Sequence, residues 1–324
     1  MPEQFLADMD GLAGLVHKAL PRASSVSIGR ASGGRVVVVY RATVDGAQYY
    51  LRLAEEPGQD LTTDAFILER LRALGMRVPG VVAVSAASAT FPRSWMIMTE
   101  VPGRSIATGG TDEEARQAAL SAGRDVAVLN SVPVSGFGWL CRDGSAQLTA
   151  VLPSYSQFVV SYLPAPWPGR LAVVLELRQL DALRALAHVE QDRPFRAGHL
   201  VHGDLDVTHI YSHASRYSGI IDFGEMRGAD PYFDLGHFLL YDGEIRPTQL
   251  FPSFLEGYRQ VNPLPHGHSQ AIRASAILLG LRQLSHWLSP ERQYSISHPL
   301  VHRRAARLSN LIDSEPAHPA GDPG

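Results

Sequence analysis

The sequence predicts an α+β protein of two lobes, an antiparallel five-stranded sheet lobe followed by a larger, mainly helical one. Three observations point there. At 324 residues the chain exceeds what one ordinary core needs. Its first hundred residues break into short β-branched and aromatic runs separated by Gly and Pro turns. After Gly110 the apolar residues recur at helical spacing. The expected division is a sheet lobe over 1–99, a connecting hinge over 100–104, a helical lobe over 105–312 and a Pro/Gly-rich, disordered tail over 313–324.

The elements follow in order. Residues 3–20 carry Phe5, Leu6, Met9, Leu12, Leu15, Val16 and Leu20 as a helical stripe that Pro21 ends. Val26–Gly29, Arg35–Arg41 and Gln48–Leu53 read as three strands, turned by Ser32-Gly33-Gly34 and by Asp45-Gly46. Gly33 and Gly34 would let backbone N–H groups approach a phosphate closely; a plain tight hairpin accounts for them equally well. A helix begins near Leu61 with Phe66, Ile67, Leu71 and Leu74 as its apolar face, and Val81–Val84 and Trp95–Thr99 complete the sheet. Thr111, followed by Asp112, Glu113 and Glu114, caps a helix running to about Leu129. Residues 133–153 read as a Gly-rich loop over Phe137 and Trp139, and Pro164–Gly169 as a rigid connection. Leu171–Val189, Tyr232–Tyr241, Gln249–Gln260, Ser269–Leu288 and Pro299–Leu311 read as helices, which would make the second lobe all-helical.

Composition excludes several classes. A 45% apolar fraction is that of a globular protein. A formal charge of −3 offers no polybasic face for nucleic acid, and arginine carries the positive charge, with Lys18 the one lysine. Cys141 stands alone, so no internal disulfide forms. No apolar run reaches membrane-spanning length, and the N-terminus lacks the basic start and apolar core of a signal peptide. A cytoplasmic protein without membrane or nucleic-acid partners is the expectation.

The chemistry concentrates between His199 and Glu225. Leu200-Val201 leads in as a buried edge, and His209–Tyr211 and Tyr217–Ile221 alternate as two strands around a turn at Ser212–Arg216. Asp204 would sit on the loop before this hairpin and Asp222 just after it, which would fold the two carboxylates onto one site. Such a pair can serve phosphoryl transfer: one acid takes or orients the proton of an attacking hydroxyl, the other holds the divalent cation on the nucleotide phosphates. His202-Gly203-Asp204 followed by Asp222-Phe223-Gly224 has the order of the protein-kinase H-R-D and D-F-G triplets.

Together with Gly228-Ala-Asp-Pro-Tyr-Phe-Asp-Leu, these blocks resemble the aminoglycoside phosphotransferase family of protein-kinase-like small-molecule kinases. The resemblance implies a bilobal kinase-like fold that grips a metal–nucleotide complex between its lobes. It implies ATP (or GTP) as donor, Mg²⁺ (or Mn²⁺) as cation, and a small-molecule hydroxyl, of an antibiotic or a metabolite, as acceptor. Asp204 would be the catalytic base and Asp222 the cation ligand, with His202 bracing the loop and Asp234 supporting it. Arg52 on the third strand would hold the nucleotide phosphates, anchored by Asp64 or else by Glu69. Thr99 C=O and Val101 N–H would pair with the purine edge, with Met98 behind the base.

One residue departs from the family pattern. His209 stands where the family carries asparagine, and imidazole suits softer cations than an amide oxygen does. His209 could bind the cation through Nε2, could reach it through water with Asp206 adding charge, or could weaken a second cation site. Two other functions compete. A metallohydrolase would use the cluster His199, His202, Asp204, Asp206, His209 and His213, although strand alternation would send these to opposite faces. A kinase-like protein could also bind nucleotide with little or no catalysis. From Glu225 onward ten acids meet nine arginines, not the acidic surplus that a polycationic aminoglycoside would call for.

Overall fold

One hydrophobic cluster under the N-terminal sheet and another among the C-terminal helices organise the described residues, which a computed structural model gives as 9–31, 39–56, 58–289, 292 and 294–314. In chain order the elements are α1 (Met9–Ala19), β1 (Val26–Arg30), β2 (Val39–Val44), β3 (Ala47–Leu53), α2 (Thr62–Ala73), β4 (Val81–Ser85), β5 (Trp95–Thr99), β6 (Arg104–Ser105) and α3 (Asp112–Leu129). There follow β7 (Pro133–Val134), β8 (Phe137–Leu140), β9 (Ala150–Leu152), α4 (Tyr155–Val160), a 3₁₀ turn (Gly169–Val173), α5 (Leu177–Gln191), β10 (Gly198–Val201), β11 (Ile210–His213) and β12 (Arg216–Ile220). A 3₁₀ turn (Phe223–Glu225), β13 (Arg227–Ala229), α6 (Phe233–Tyr241), α7 (Phe251–Arg259), α8 (His268–Trp287) and α9 (Pro299–Asp313) complete the chain. Among the described residues no helix is long and apolar enough to cross a membrane.

One unit runs to Arg104 and takes in Cys141–Gln147 and Tyr211–Gly224; the other holds Ser105–Leu140, Leu148–Ile210 and the residues from Glu225 onward. The segment bearing Asp222 therefore groups with the sheet, and the loop bearing Asp204 with the helices.

The first unit is built on an antiparallel sheet of order β1-β2-β3-β5-β4, the five strands expected. Asp45 and Gly46 turn β2 into β3 with φ of 49° and 84°, the backbone that a two-residue hairpin needs to match strand twist. Leu12 and Val16 of α1 pack against Tyr40, Ala42, Leu51, Leu53, Trp95 and Ile97 on one face. Side chains alternate along a strand, so Arg52, between Leu51 and Leu53, points to the other face. There α2 buries Ile67, Leu68 and Leu71, while Phe66 is half-buried and Leu74 exposed. Gly33, Gly34 and the start of the expected second strand lie outside the described residues. The β11–β12 hairpin turns through Ala214 and Ser215, both at positive φ, where the sequence predicts a turn.

In the second unit α3 starts at the expected cap: the Thr111 hydroxyl accepts from Glu114 N–H at 3.2 Å, and the Glu114 carboxylate accepts from Thr111 N–H at 2.7 Å. The expectation of an all-helical lobe is corrected. Residues 133–153 form β7, β8 and β9, which join β10 and β13 in a sheet of order β7-β10-β13-β8-β9. Leu200-Val201 is consequently interior, not an edge. Phe137 enters the core as expected, but Trp139 is 38% exposed. The helix expected from Leu171 begins at Leu177, where Glu176 and Gln179 form the capping box.

Helices α3 and α7 approach until their backbones touch. A methyl group at Gly257 would run into the Leu120 carbonyl, and one at Gly123 into the Phe254 carbonyl. Neither obstacle is a flexible side chain, so the helices would have to separate. We expect Gly257→Ala to lower unfolding free energy by about 1–3 kcal/mol in urea titrations, despite alanine's better helix propensity. Gly14→Ala, in α1 with nothing nearby, should not.

Candidate active site

Asp204 is presented by a loop whose backbone is fixed from below. β10 delivers His202 and Gly203, and the fully buried Asp234 carboxylate accepts from His202 N–H at 2.9 Å and from Gly203 N–H at 3.0 Å. The Asn130 amide bridges this support, donating to Asp234 Oδ2 at 3.3 Å and to Leu200 C=O at 2.9 Å. Gly203 has φ of 89°, and a Cβ there would collide with the Glu225 carbonyl and come within 2.8 Å of Arg227 Nε. Glycine is required on both counts. His202 is wholly buried and its Nδ1 accepts from Asp204 N–H at 3.3 Å, which is the bracing role expected of it.

The Asp204 side chain meets a residue that sequence reasoning missed. His237 Nε2 lies 3.4 Å from Asp204 Oδ1, and His237 Nδ1 lies 2.9 Å from Leu205 C=O. A carbonyl only accepts, so Nδ1 carries a proton; a second proton on Nε2 makes the ring an imidazolium facing a carboxylate. The two groups shift accordingly. Burial works to raise the Asp204 carboxyl, but the hydrogen bond and charge of His237, helped by His209 and His202, bring it down to about 2. Burial works to lower His237, and Asp204 overrides it and raises the ring above its ordinary value. Tyr241 stacks on the His237 ring at 4.8 Å and is fixed by Gln283 Nε2 donating to its hydroxyl at 2.7 Å. The signal was present in the sequence: His237 follows Asp234 by three residues, on the same face of one helix.

His209 Nδ1 lies 2.6 Å from Asp204 C=O and 3.9 Å from Asp206 Oδ1. Nδ1 is therefore the donor, and in the neutral ring Nε2 holds the lone pair that a cation would use. The dispersed His/Asp cluster does not act as a unit. His199 bonds the Asn130 carbonyl at 2.7 Å, and Asp206 caps its own loop by accepting from Thr208 N–H at 2.7 Å. Among the described residues no three His, Cys, Asp or Glu gather into a metal-binding group. The metallohydrolase expectation loses its support.

In the first unit Arg52 Nη1 meets Asp64 Oδ1 at 3.2 Å, and Glu69 is exposed. A second missed residue completes this centre. Arg142 Nε binds the other Asp64 oxygen at 2.8 Å, and its Nη2 donates to Gly224 C=O at 2.8 Å. Asp64 thus stands between two buried guanidiniums, one of which also holds the Asp222-Phe223-Gly224 turn. Asp222 itself has φ of 66°, a left-handed backbone uncommon for aspartate. Nothing local in the sequence marks Arg142, because its partners are 78 and 82 residues away. Met98 and Thr99 end β5, with the Thr99 hydroxyl accepting from Gly80 N–H at 2.9 Å, and Val101 is buried against Gly219.

A family model described as "Phosphotransferase enzyme family" matches residues 27–269, which include both triplets and the Asp230–Asp234 block. The chain belongs to the phosphotransferase enzyme family. No curated protein sequence matches it. Among solved structures, a thermostable mutant of aminoglycoside phosphotransferase APH(4)-Ia, in ternary complex with ADP and hygromycin B, superposes with a TM-score of 0.64 at 17% identity, covering 92% of this chain and 97% of that one. The GDP and kanamycin complex of APH(2")-IIIa gives 0.63 at 17% identity, covering 93% and 97%. At these identities the likeness establishes the phosphotransferase fold, including its kinase-like sheet and helices, and not a shared acceptor.

Two outcomes test this phosphotransferase site. Asp64→Asn leaves two buried guanidiniums without their counter-charge and should cost about 3–5 kcal/mol in urea unfolding, whereas Glu69→Gln should cost almost nothing. The Asp204–His237 pair gives a pH signature. Asp204, lowered from 3.8 to about 2, stabilises the fold above 3.8 and loses that contribution as pH falls through 2. His237, raised from 6.5, stabilises below 6.5 and loses its contribution as pH rises through its folded value. The melting-temperature gap between wild type and His237→Asn should therefore be widest between about pH 4 and 6.5, narrowing on both sides.

Proposed function

We propose that the protein transfers the γ-phosphoryl group of ATP or GTP to a hydroxyl of a small molecule. The observation that carries this reading is Asp204: a carboxylate kept ionised by His237, on a loop locked by Asp234, lining a cavity of about 670 Å³. In the reaction the acceptor oxygen forms a bond to the γ-phosphorus. The bond from that phosphorus to the bridging oxygen breaks, the nucleoside diphosphate leaves, and the acceptor proton passes to Asp204. A carboxylate with a pKa of about 2 is a weak base. Its main contribution is then to orient the hydroxyl, taking the proton late, as a loose transition state permits.

The phosphates are assigned to Arg52, whose Nε has no protein partner while Nη1 is anchored on Asp64. The purine is assigned to Met98, Thr99 C=O and Val101 N–H. The residues that would hold Mg²⁺, or Mn²⁺, are Asp222 in the first unit and, as a second candidate ligand, His209 in the other; such a cation would neutralise charge on the phosphates. The relatives named above were captured with ADP or GDP and with hygromycin B or kanamycin. They support nucleotide use here and leave the acceptor, an antibiotic or another hydroxyl compound, to be found.

A nucleotide-consumption screen of hydroxyl-bearing antibiotics and metabolites tests the reading. Wild type should turn over at least one acceptor, and Asp204→Ala should lose roughly 100-fold or more of kcat with the substrate KM little changed. Nucleotide binding without Asp204-dependent turnover across the panel would leave a nucleotide-binding protein and no kinase.

A further inference from the structure

The cavity beside Asp204 carries the wrong charge for a polyamine. It is walled by the 161–171 segment, the Gly203-Asp204 loop, Glu225 and Arg227, His237 and the C-terminal half of α8. Three arginines, Arg170, Arg227 and Arg282, line it against two carboxylates, Asp204 and Glu225. Both acids are engaged, Asp204 with His237 and Glu225 with Arg227 at 2.6 Å. Arg170 donates only to Leu288 C=O, at 3.4 Å. Neither Arg170 nor Arg282 has an ion-pair partner among the described residues.

Arg282 is held by aromatic rings instead. Its guanidinium lies 5.5 Å from the Tyr162 ring centre and 6.0 Å from that of Trp139, and Arg227 sits 4.2 Å from the same indole. Two guanidiniums thus share one ring with no acid between them. The strain registers on Arg227, which burial chiefly, and then the charge of Arg282, push down to about 10. Three residues of the wall, Tyr162, Gln283 and Ser289, also bury an oxygen that finds no protein partner. A negatively charged guest would relieve the repulsion; an ammonium group would add to it.

We propose that this cavity binds an organic anion, so that the phosphoryl acceptor is a hydroxyl compound bearing a carboxylate or a phosphate ester, gripped by Arg282 while its hydroxyl reaches Asp204. The assignment rests on the phosphotransferase reading for the hydroxyl and on the cavity alone for the anion. Arginine matches either anion through paired N–H donors, and the Tyr162 and Trp287 rings accommodate an apolar or cyclic body.

Calorimetric titration of the full chain without nucleotide, followed by nucleotide-consumption assays, tests both parts. The probes are quinate as hydroxylated carboxylate, glucose 6-phosphate as hydroxylated phosphate ester, myo-inositol as neutral polyol and tobramycin as polycation. At least one of the two anions should bind, identifying the preferred group. Its Kd should rise roughly tenfold or more in Arg282→Ala and recover only in part in Arg282→Lys, which keeps the charge but loses the paired donors. Arg282→Ala should raise the acceptor KM by a like factor while kcat holds. Tighter binding of tobramycin than of either anion, no anion binding at millimolar concentration, or an anion Kd indifferent to Arg282→Ala in a variant that melts like wild type would overturn the proposal. Arg282-dependent anion binding with no nucleotide consumed would uphold the anion site and sink the kinase reading.

Discussion

The second unit depends on one buried carboxylate. Asp234 is wholly removed from solvent, yet each of its oxygens accepts a main-chain N–H of the loop that carries Asp204, and Asn130 adds a third donor. A buried carboxylate is tolerable only with such partners, so loop and helix fix each other. The loop can take no other course, because the left-handed backbone at Gly203 leaves no room for a side chain between it and the Glu225 carbonyl. His237, one turn further along α6, then reaches the Asp204 side chain. A single helix thereby sets both the position of the proposed base and its charge state.

A comparable economy operates in the first unit. Asp64 is almost fully buried, and its two oxygens are divided between Arg52 and Arg142. One arginine comes from the sheet, the other from a seven-residue excursion that leaves the second unit only to deliver it. Because Arg142 also holds the Gly224 carbonyl, the acid that orients Arg52 and the turn that follows Asp222 share one guanidinium. A change at Arg52 would be felt at that turn through three hydrogen bonds in series. The carboxylate contributes little net stability against an apolar replacement, and its removal alone is what the fold cannot absorb.

What the sequence discloses is governed by locality. The β3 strand, the Asp45-Gly46 turn and the Thr111 cap rest on contacts within a few residues, and all are legible. The short strands β7 and β8 are not, because their partners β10 and β13 lie some 60 to 90 residues on, and β9 has only β8 to pair with; a Gly-rich stretch has no pattern until those partners are in place. The same holds for the site. Asp204, Asp222 and Asp234 stand in compact blocks, whereas Arg142 acts across 78 residues. His237 was within reach, at i+3 from a recognised acid, but a histidine in an apolar helix reads first as core.

Family membership fixes the fold and the order of the triplets; it does not fix what enters the cavity. The charge of that cavity follows from two ion pairs. An acid at the reaction centre would ordinarily repel an anionic acceptor, and Asp204 is such an acid. His237 cancels it from behind, just as Arg227 cancels Glu225, so the charges left to a guest are those of Arg170 and Arg282. The histidine that lowers the basicity of Asp204 is then the same residue that makes the cavity hospitable to an anion. A weakly basic aspartate also suits such a guest, since a loose phosphoryl transition state asks the base for orientation more than for proton affinity. Acceptor charge and base strength are in this way two consequences of one ion pair.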